Sequence, residues 1–139
     1  AAFYDKVLVD AECTHDGSIK HLAKFGQWGW DTFESKFLRT ARLDELHALQ
    51  LQLVHAGFRV LRSGGSLVYS TCSFARRQNE DVIQAFLQAE PRARLLPVET
   101  LRNAPSRAGS LPLTLRFDPQ TSFTSGLFIA KIGKQPQAS

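Results

Sequence analysis

Two cysteines could do chemistry in this chain, and each follows the end of a short apolar run. In Gly64-Gly65-Ser66-Leu67-Val68-Tyr69-Ser70-Thr71-Cys72-Ser73 the paired glycines release a preceding helix, Leu67, Val68 and Tyr69 read as a strand, and Cys72 stands at its end. In Lys6-Val7-Leu8-Val9-Asp10 the apolar centre is closed by Asp10, and Cys13 lies in the loop from Ala11 to Ser18. Continuous apolar runs suit parallel strands buried on both faces, and ligands of open α/β sheets bind just beyond the carboxyl ends of such strands. Two adjacent strand ends would bring both thiols and one carboxylate into a single crevice. Only the thiolate is a nucleophile. A thiol facing a helix N-terminus titrates below the free value of about 8.5, and a helix-forming run begins at Asn79, just after Cys72. Glu12, beside Cys13, would raise that thiol if its carboxylate faced inward.

The elements that must position these groups can be read from spacing. Over residues 42–61, Leu46, Leu49, Leu53, Ala56 and Val60 recur at three and four, and Leu51, Val54, Phe58 and Leu61 add a second stripe. Thr40 is the expected N-cap of this helix and Gly64 its left-handed C-terminal residue. Gln50 could reach the crevice loops, while Gln52 belongs on the surface. A second amphipathic helix spans 79–87, a short edge strand with Pro97 spans 94–98, 101–112 is loop, and 126–132 is the last strand. Residues 19–40 read as a long loop rich in Phe25, Trp28, Trp30, Phe33 and Phe37, interleaved with Lys20, Lys24, Lys36 and Arg39. Such a stretch either stacks bases and pairs phosphates or pins a small hydrophobic cluster of its own. A helical crossover between the first two strands makes them a parallel pair, so the class is α/β.

Composition narrows the setting. The 139 residues are one domain's worth, and 43% hydrophobic content suffices for a core. A formal net charge of +4 is compatible with nucleic acid. Two cysteines do not suggest a secreted disulfide framework, which implies a reducing intracellular compartment. No stretch nears the ~20 apolar residues of a membrane span, and no membrane partner is expected.

Further resemblance lies in the motifs. Asp10-Ala11-Glu12-Cys13-Thr14 resembles the Asp-Ala-Pro-Cys-Ser loop of the Sun/RsmB-type RNA (cytosine-5) methyltransferases, and Tyr69-Ser70-Thr71-Cys72-Ser73 matches their Thr-Cys-Ser segment. Gln78-Asn79-Glu80 is similar to the Glu-Asn-Glu that follows, Gln50 falls where the family carries a glutamine, and Gly126-Leu127-Phe128-Ile129-Ala130-Lys131 resembles its closing strand. The resemblance implies a Rossmann-like class I methyltransferase sheet, mixed, with an antiparallel last strand. It implies S-adenosylmethionine as methyl donor and RNA (tRNA or rRNA) as substrate. It makes Cys72 the nucleophile that adds to carbon 6 of cytosine, Cys13 the residue assisting release, and Asp10 a group on the pyrimidine edge close to the donor. Thr71, Arg76 and Arg77 are the expected substrate contacts, the arginines on phosphate.

Two departures matter. Glu12 stands where the family has proline, which puts the release role of Cys13 in question. The glycine-rich turn and acidic strand end that bind the donor in such folds are not among these residues. Residues 1–139 therefore read as the C-terminal part of one catalytic domain, inactive alone, with an unpaired first-strand edge open to the missing half or to a second copy. The alternative is a non-catalytic RNA-binding or scaffolding relative in which Glu12 marks decay; the intact Thr71-Cys72-Ser73 argues against it. A thiol hydrolase would need His15, His21, His47 or His55 bonded to Cys72 and a third orienting group. His15 and Asp16 read as a solvated pair, and Cys13 and Cys72 lack the spacing of a metal site.

Overall fold

The computed structural model describes residues 2–138. Strand β1 (Tyr4–Asp10) runs parallel to β2 (Leu61–Thr71), and the long helix α3 (Thr40–Val60) makes the crossover between them. β6 (Leu127–Lys134) lies antiparallel to β2, with Leu67 opposite Ile132 and Tyr69 opposite Ala130. β3 (Ala93–Leu96) and β5 (Leu115–Phe117) both pair with β6, and β4 (Arg107–Ala108) pairs with β5. The sheet order is β1-β2-β6-β5-β4, with β3 beside β6. It is the expected mixed α/β sheet, although among the described residues only the β1–β2 pair is parallel.

One face of this sheet carries the core. Val9, Leu67, Tyr69, Ala130 and Ile132 share that face and meet Val54 and Phe58 of α3, with Val82 and Phe86 of α4 (Glu80–Ala89). The buried positions of α3 are Leu46, Gln50, Val54 and Phe58, a pure four-residue repeat. Leu53, expected inside, is partly exposed. Burial on both faces does not hold for β1: Leu8 is 69% exposed, because the helices of these residues cover the other face. β1 pairs only with β2, so its outer edge is free among the described residues.

Three boundaries differ from the sequence reading. Residues 19–38 are helical, not loop: α1 (Ile19–Trp28), α2 (Trp30–Phe33) and a π-helical turn (Glu34–Leu38). Ser18 starts α1 by accepting from the His21 N–H, and Gly29, at φ 83°, separates α1 from α2. The rings then pack on one another, with Trp30 stacked on Phe33 and Lys36 Nζ 4.6 Å from the Trp28 ring centre. Thr40 is the first helical residue of α3, with Arg39 as its cap. Gly64 does not end that helix. α3 stops at Val60, and Gly64, at φ 79°, lies within β2 where the register against β1 slips between Tyr4 and Lys6.

Candidate active site

β1 and β2 end side by side, and the segments beyond them meet. Cys13 Sγ lies 3.3 Å from Cys72 Sγ, a thiol–thiol contact across 59 residues of chain. Cys13 is 3% exposed and Cys72 is half-buried. The two strand ends stay joined beyond the ladder: the Ala11 N–H donates to the Ser70 carbonyl at 3.0 Å, and the Gly17 N–H donates to the Cys72 carbonyl at 2.9 Å. A side chain at Gly17 would collide with that carbonyl, so the close approach requires glycine. Asp10 projects from the exposed end of β1, one carboxylate oxygen accepting from Ser70 Oγ at 3.0 Å.

A buried amide network sets both loops. Gln50, on the inward face of α3, donates to the Glu12 carbonyl at 2.8 Å and to Gln78 Oε1 at 3.2 Å. Gln78 Oε1 also accepts from the Thr14 N–H, and Gln78 Nε2 donates to Thr14 Oγ1, each at 3.0 Å. Tyr69 OH donates to the Gln78 carbonyl at 2.6 Å. Asn79 Nδ2 donates to the Ser73 carbonyl at 2.8 Å. Behind them the Arg116 guanidinium forks onto Glu80, with Nε to Oε1 at 2.7 Å and Nη2 to Oε2 at 2.6 Å, and Nη1 donates to the Phe74 carbonyl at 3.0 Å. The loops are held from several elements at once.

The thiol pair titrates as a unit. The Cys72 thiol and the backbone N–H of His15 both stabilise a thiolate on Cys13, whose pKa falls below the ordinary range despite burial. Cys72, sharing its proton with Cys13 and partly desolvated, is pushed up. The sequence reading expected Cys72 lowered by a helix N-terminus. α4 begins only at Glu80, with Glu80 and Asp81 in its first turn, and Cys72 answers instead to Cys13, its burial and Asp16. Glu12 departs from expectation as well. Its carboxylate is exposed and turned to Arg42 Nη2 at 3.2 Å, so it does not raise Cys13.

Of the other expected residues, Gln50 reaches the loops as read. Thr71 is fully buried, bonded through Oγ1 to Asn79 Oδ1 at 2.5 Å and to the Ser73 N–H at 3.2 Å, and shapes the turn. Arg76 and Arg77 are exposed in ion pairs, with Asp81 at 3.0 Å and Asp44 at 2.5 Å. The basic residues beside the thiols are instead Lys36 and Arg42, which line a cavity of about 400 Å³ with Glu12, Cys13, Thr14, His15 and Leu46. His15 is no solvated bystander: its Nδ1 lies 3.1 Å from Cys72 Sγ and 3.6 Å from Cys13 Sγ. Its backbone sits at φ 57°, a left-handed setting that histidine adopts more readily than most residues. Among the described residues no side chain hydrogen-bonds its other ring nitrogen, so the orienting group of a hydrolase triad is missing.

Comparison with known proteins places this arrangement. The model of the family described as 16S rRNA methyltransferase RsmB/F matches residues 1–133. The ribosomal RNA small subunit methyltransferase F of Erwinia tasmaniensis is 32% identical over 133 residues, covering 94% of this chain and 26% of that protein. The mouse mitochondrial tRNA (cytosine(34)-C(5))-methyltransferase is 36% identical over 99 residues, 70% of this chain and 25% of that protein. The crystal structure of NSun6 from Pyrococcus horikoshii with SFG superposes with a TM-score of 0.77 at 26% identity, over 98% of this chain and 31% of that one. The chain thus spans about a quarter of the curated relatives it matches. It belongs to the RsmB/F family of RNA methyltransferases.

Proposed function

We propose that this chain carries the catalytic-cysteine part of an enzyme that methylates carbon 5 of cytosine in RNA. The observation that supports the reading best is the contact of Cys13 and Cys72 at the ends of two parallel strands, with Asp10 on the same rim. Carbon 5 of cytosine is a poor nucleophile. Cys72 sulfur, as thiolate, forms a bond to carbon 6, and the ring electrons move toward carbon 5 and nitrogen 3, where a proton is held by Asp10 at the pyrimidine edge. The Cys72 proton passes to the Cys13 sulfur as the attack proceeds, since the pair already shares it. S-adenosylmethionine, when bound, supplies the electrophilic methyl group that carbon 5 takes up. A base from solvent then takes the carbon 5 proton, the sulfur–carbon 6 bond breaks with its electrons returning to Cys72, and Cys13 assists this release by giving back to that sulfur the proton it took. The residues fit the donor at its reacting end only: Asp10 is a solvent-facing carboxylate at a strand terminus, suited to a cationic sulfonium nearby. Phosphate contacts are assigned to Lys36 and Arg42 at the cavity and to Arg76 and Arg77 outside it.

The test uses the full-length protein that carries this chain. With Cys13→Ala, incubation with cellular RNA and S-adenosylmethionine should trap a covalent protein–RNA band on a denaturing gel. The band should vanish when Cys72→Ala is added. Methyl transfer unaffected by Cys72→Ala would overturn the reading.

A further inference from the structure

The site holds more than a thiol pair. Cys13 Sγ, Cys72 Sγ and His15 Nδ1 all lie within 4.8 Å of one another, with distances of 3.3, 3.1 and 3.6 Å. No step of methyl transfer described above needs the imidazole there. Two thiolates and an imidazole are the donor set preferred by zinc and other thiophilic d¹⁰ ions, which take Cys₂His with a fourth, open position. Tetrahedral zinc, with bonds of about 2.3 Å to sulfur and 2.0–2.1 Å to nitrogen, sets sulfurs about 3.8 Å apart and sulfur about 3.6 Å from nitrogen. The Cys13–His15 separation already meets this. The two short distances both involve Cys72 Sγ. Drawing that one half-buried sulfur back by about half an ångström satisfies all three spacings. The His15 N–H also donates to Cys13 Sγ at 3.3 Å, an outer-shell bond of the kind that orients and stabilises a metal-bound thiolate.

We propose that Cys13, His15 and Cys72 form a binding site for one thiophilic divalent cation, zinc in the first instance, which occupies the catalytic sulfurs and leaves a fourth position open toward solvent. On binding, the two S–H bonds are replaced by two metal–sulfur bonds, two protons are released when both thiols start protonated, and neutral His15 coordinates through Nδ1 while Nε2 keeps its proton. The bound ion takes the lone pairs that Cys72 needs for attack on a base. Metal occupancy and covalent catalysis are therefore mutually exclusive states of one cluster. The sequence spacing gave no sign of this, because Cys13-x-His15 and Cys72 come together only through the β1–β2 pairing.

The experiment reads the metal rather than methyl transfer, so its failure is distinct from failure of the enzymatic reading. The full-length protein without an affinity tag, kept reduced under anaerobic conditions, is titrated with Co²⁺ and then Zn²⁺. One equivalent of Co²⁺, beyond that held by a Cys13→Ser, His15→Ala, Cys72→Ser triple variant, should give a thiolate-to-cobalt charge-transfer band. Zn²⁺ should displace it. His15→Ala alone, which leaves both thiols in place, should weaken the ion roughly tenfold or more, with circular dichroism confirming its fold. Zinc should also block alkylation of both cysteines until a chelator is added. No excess equivalent over the triple variant, a cobalt spectrum without the charge-transfer band, or unchanged affinity in His15→Ala would each overturn the proposal.

Discussion

Cys13 and Cys72 differ in reactivity because they share one proton, and the difference has a direction that alkylation can read. Cys13 is lowered by the Cys72 thiol and a backbone N–H, and Cys72 is raised by the same contact. Near neutral pH a small alkylating reagent should therefore label one thiol of the pair as thiolate while the other waits for much higher pH. Cys13→Ala removes the partner that holds the proton on Cys72, so the pKa of Cys72 should fall toward the ordinary thiol range. Its alkylation rate at a fixed pH should rise. A pH–rate profile for Cys72 that is unchanged in Cys13→Ala would show that the sulfurs do not share the proton. The placement of Asp10, Cys13 and Cys72 at two neighbouring strand ends was legible in the sequence. His15 was not, because its aim at the sulfurs depends on a left-handed backbone at one loop position.

At the scale of elements, the segments beyond the strands owe their position to partners that no local pattern reveals. Glu80 opens α4 and Arg116 lies on β5, both buried, and their fork also anchors the Phe74 carbonyl after Cys72. Glu80→Gln leaves a guanidinium inside without its counter-charge and should cost about 3–5 kcal/mol, read as a shift in denaturant midpoint. Replacing both partners by Leu and Met should recover much of that loss. Residues 36 apart with no periodic relation offer nothing for a sequence reading to find. Helix α3 was legible by its repeat, and the β6 strand by its apolar run. The helices of 19–38 were not, since glycines and crowded aromatics argue against helix. Their rings formed a cluster, yet Trp30, stacked on Phe33, stays 66% exposed. Trp30→Ala should weaken RNA binding by the ~1–3 kcal/mol of one stacked base, measured as a binding isotherm at fixed salt.

At the scale of the whole molecule, an uncovered edge and an uncovered face meet at β1. Tyr4 and Leu8 are exposed and the outer backbone groups of the strand have no partner among the described residues. The 139-residue chain expressed alone should self-associate with rising concentration. Leu8→Lys should shift sedimentation toward monomer, and an unshifted profile would move the contact elsewhere. The parallel pairing was legible from the order of runs, and the antiparallel last strand only from the resemblance of motifs. The bareness of this face was not, since an apolar strand reads the same whether or not its second cover is present.

The bonds that hold the sulfur-bearing loops join residues far apart in the chain. Thr14 meets Gln78 across 64 residues, Gln50 meets Glu12 across 38, and Arg116 meets Glu80 across 36. Closing such long loops precedes any reward from the contacts, which slows their formation relative to helices such as α3. The two thiols should therefore come within reach of each other only as these long-range contacts close. A cross-linking reagent that bridges sulfurs about 3–4 Å apart, added at intervals during refolding, should capture Cys13 with Cys72 only in the last kinetic phase. Until then each cysteine is an ordinary thiol, and the chemistry of the pair is a property the chain acquires at the end of folding.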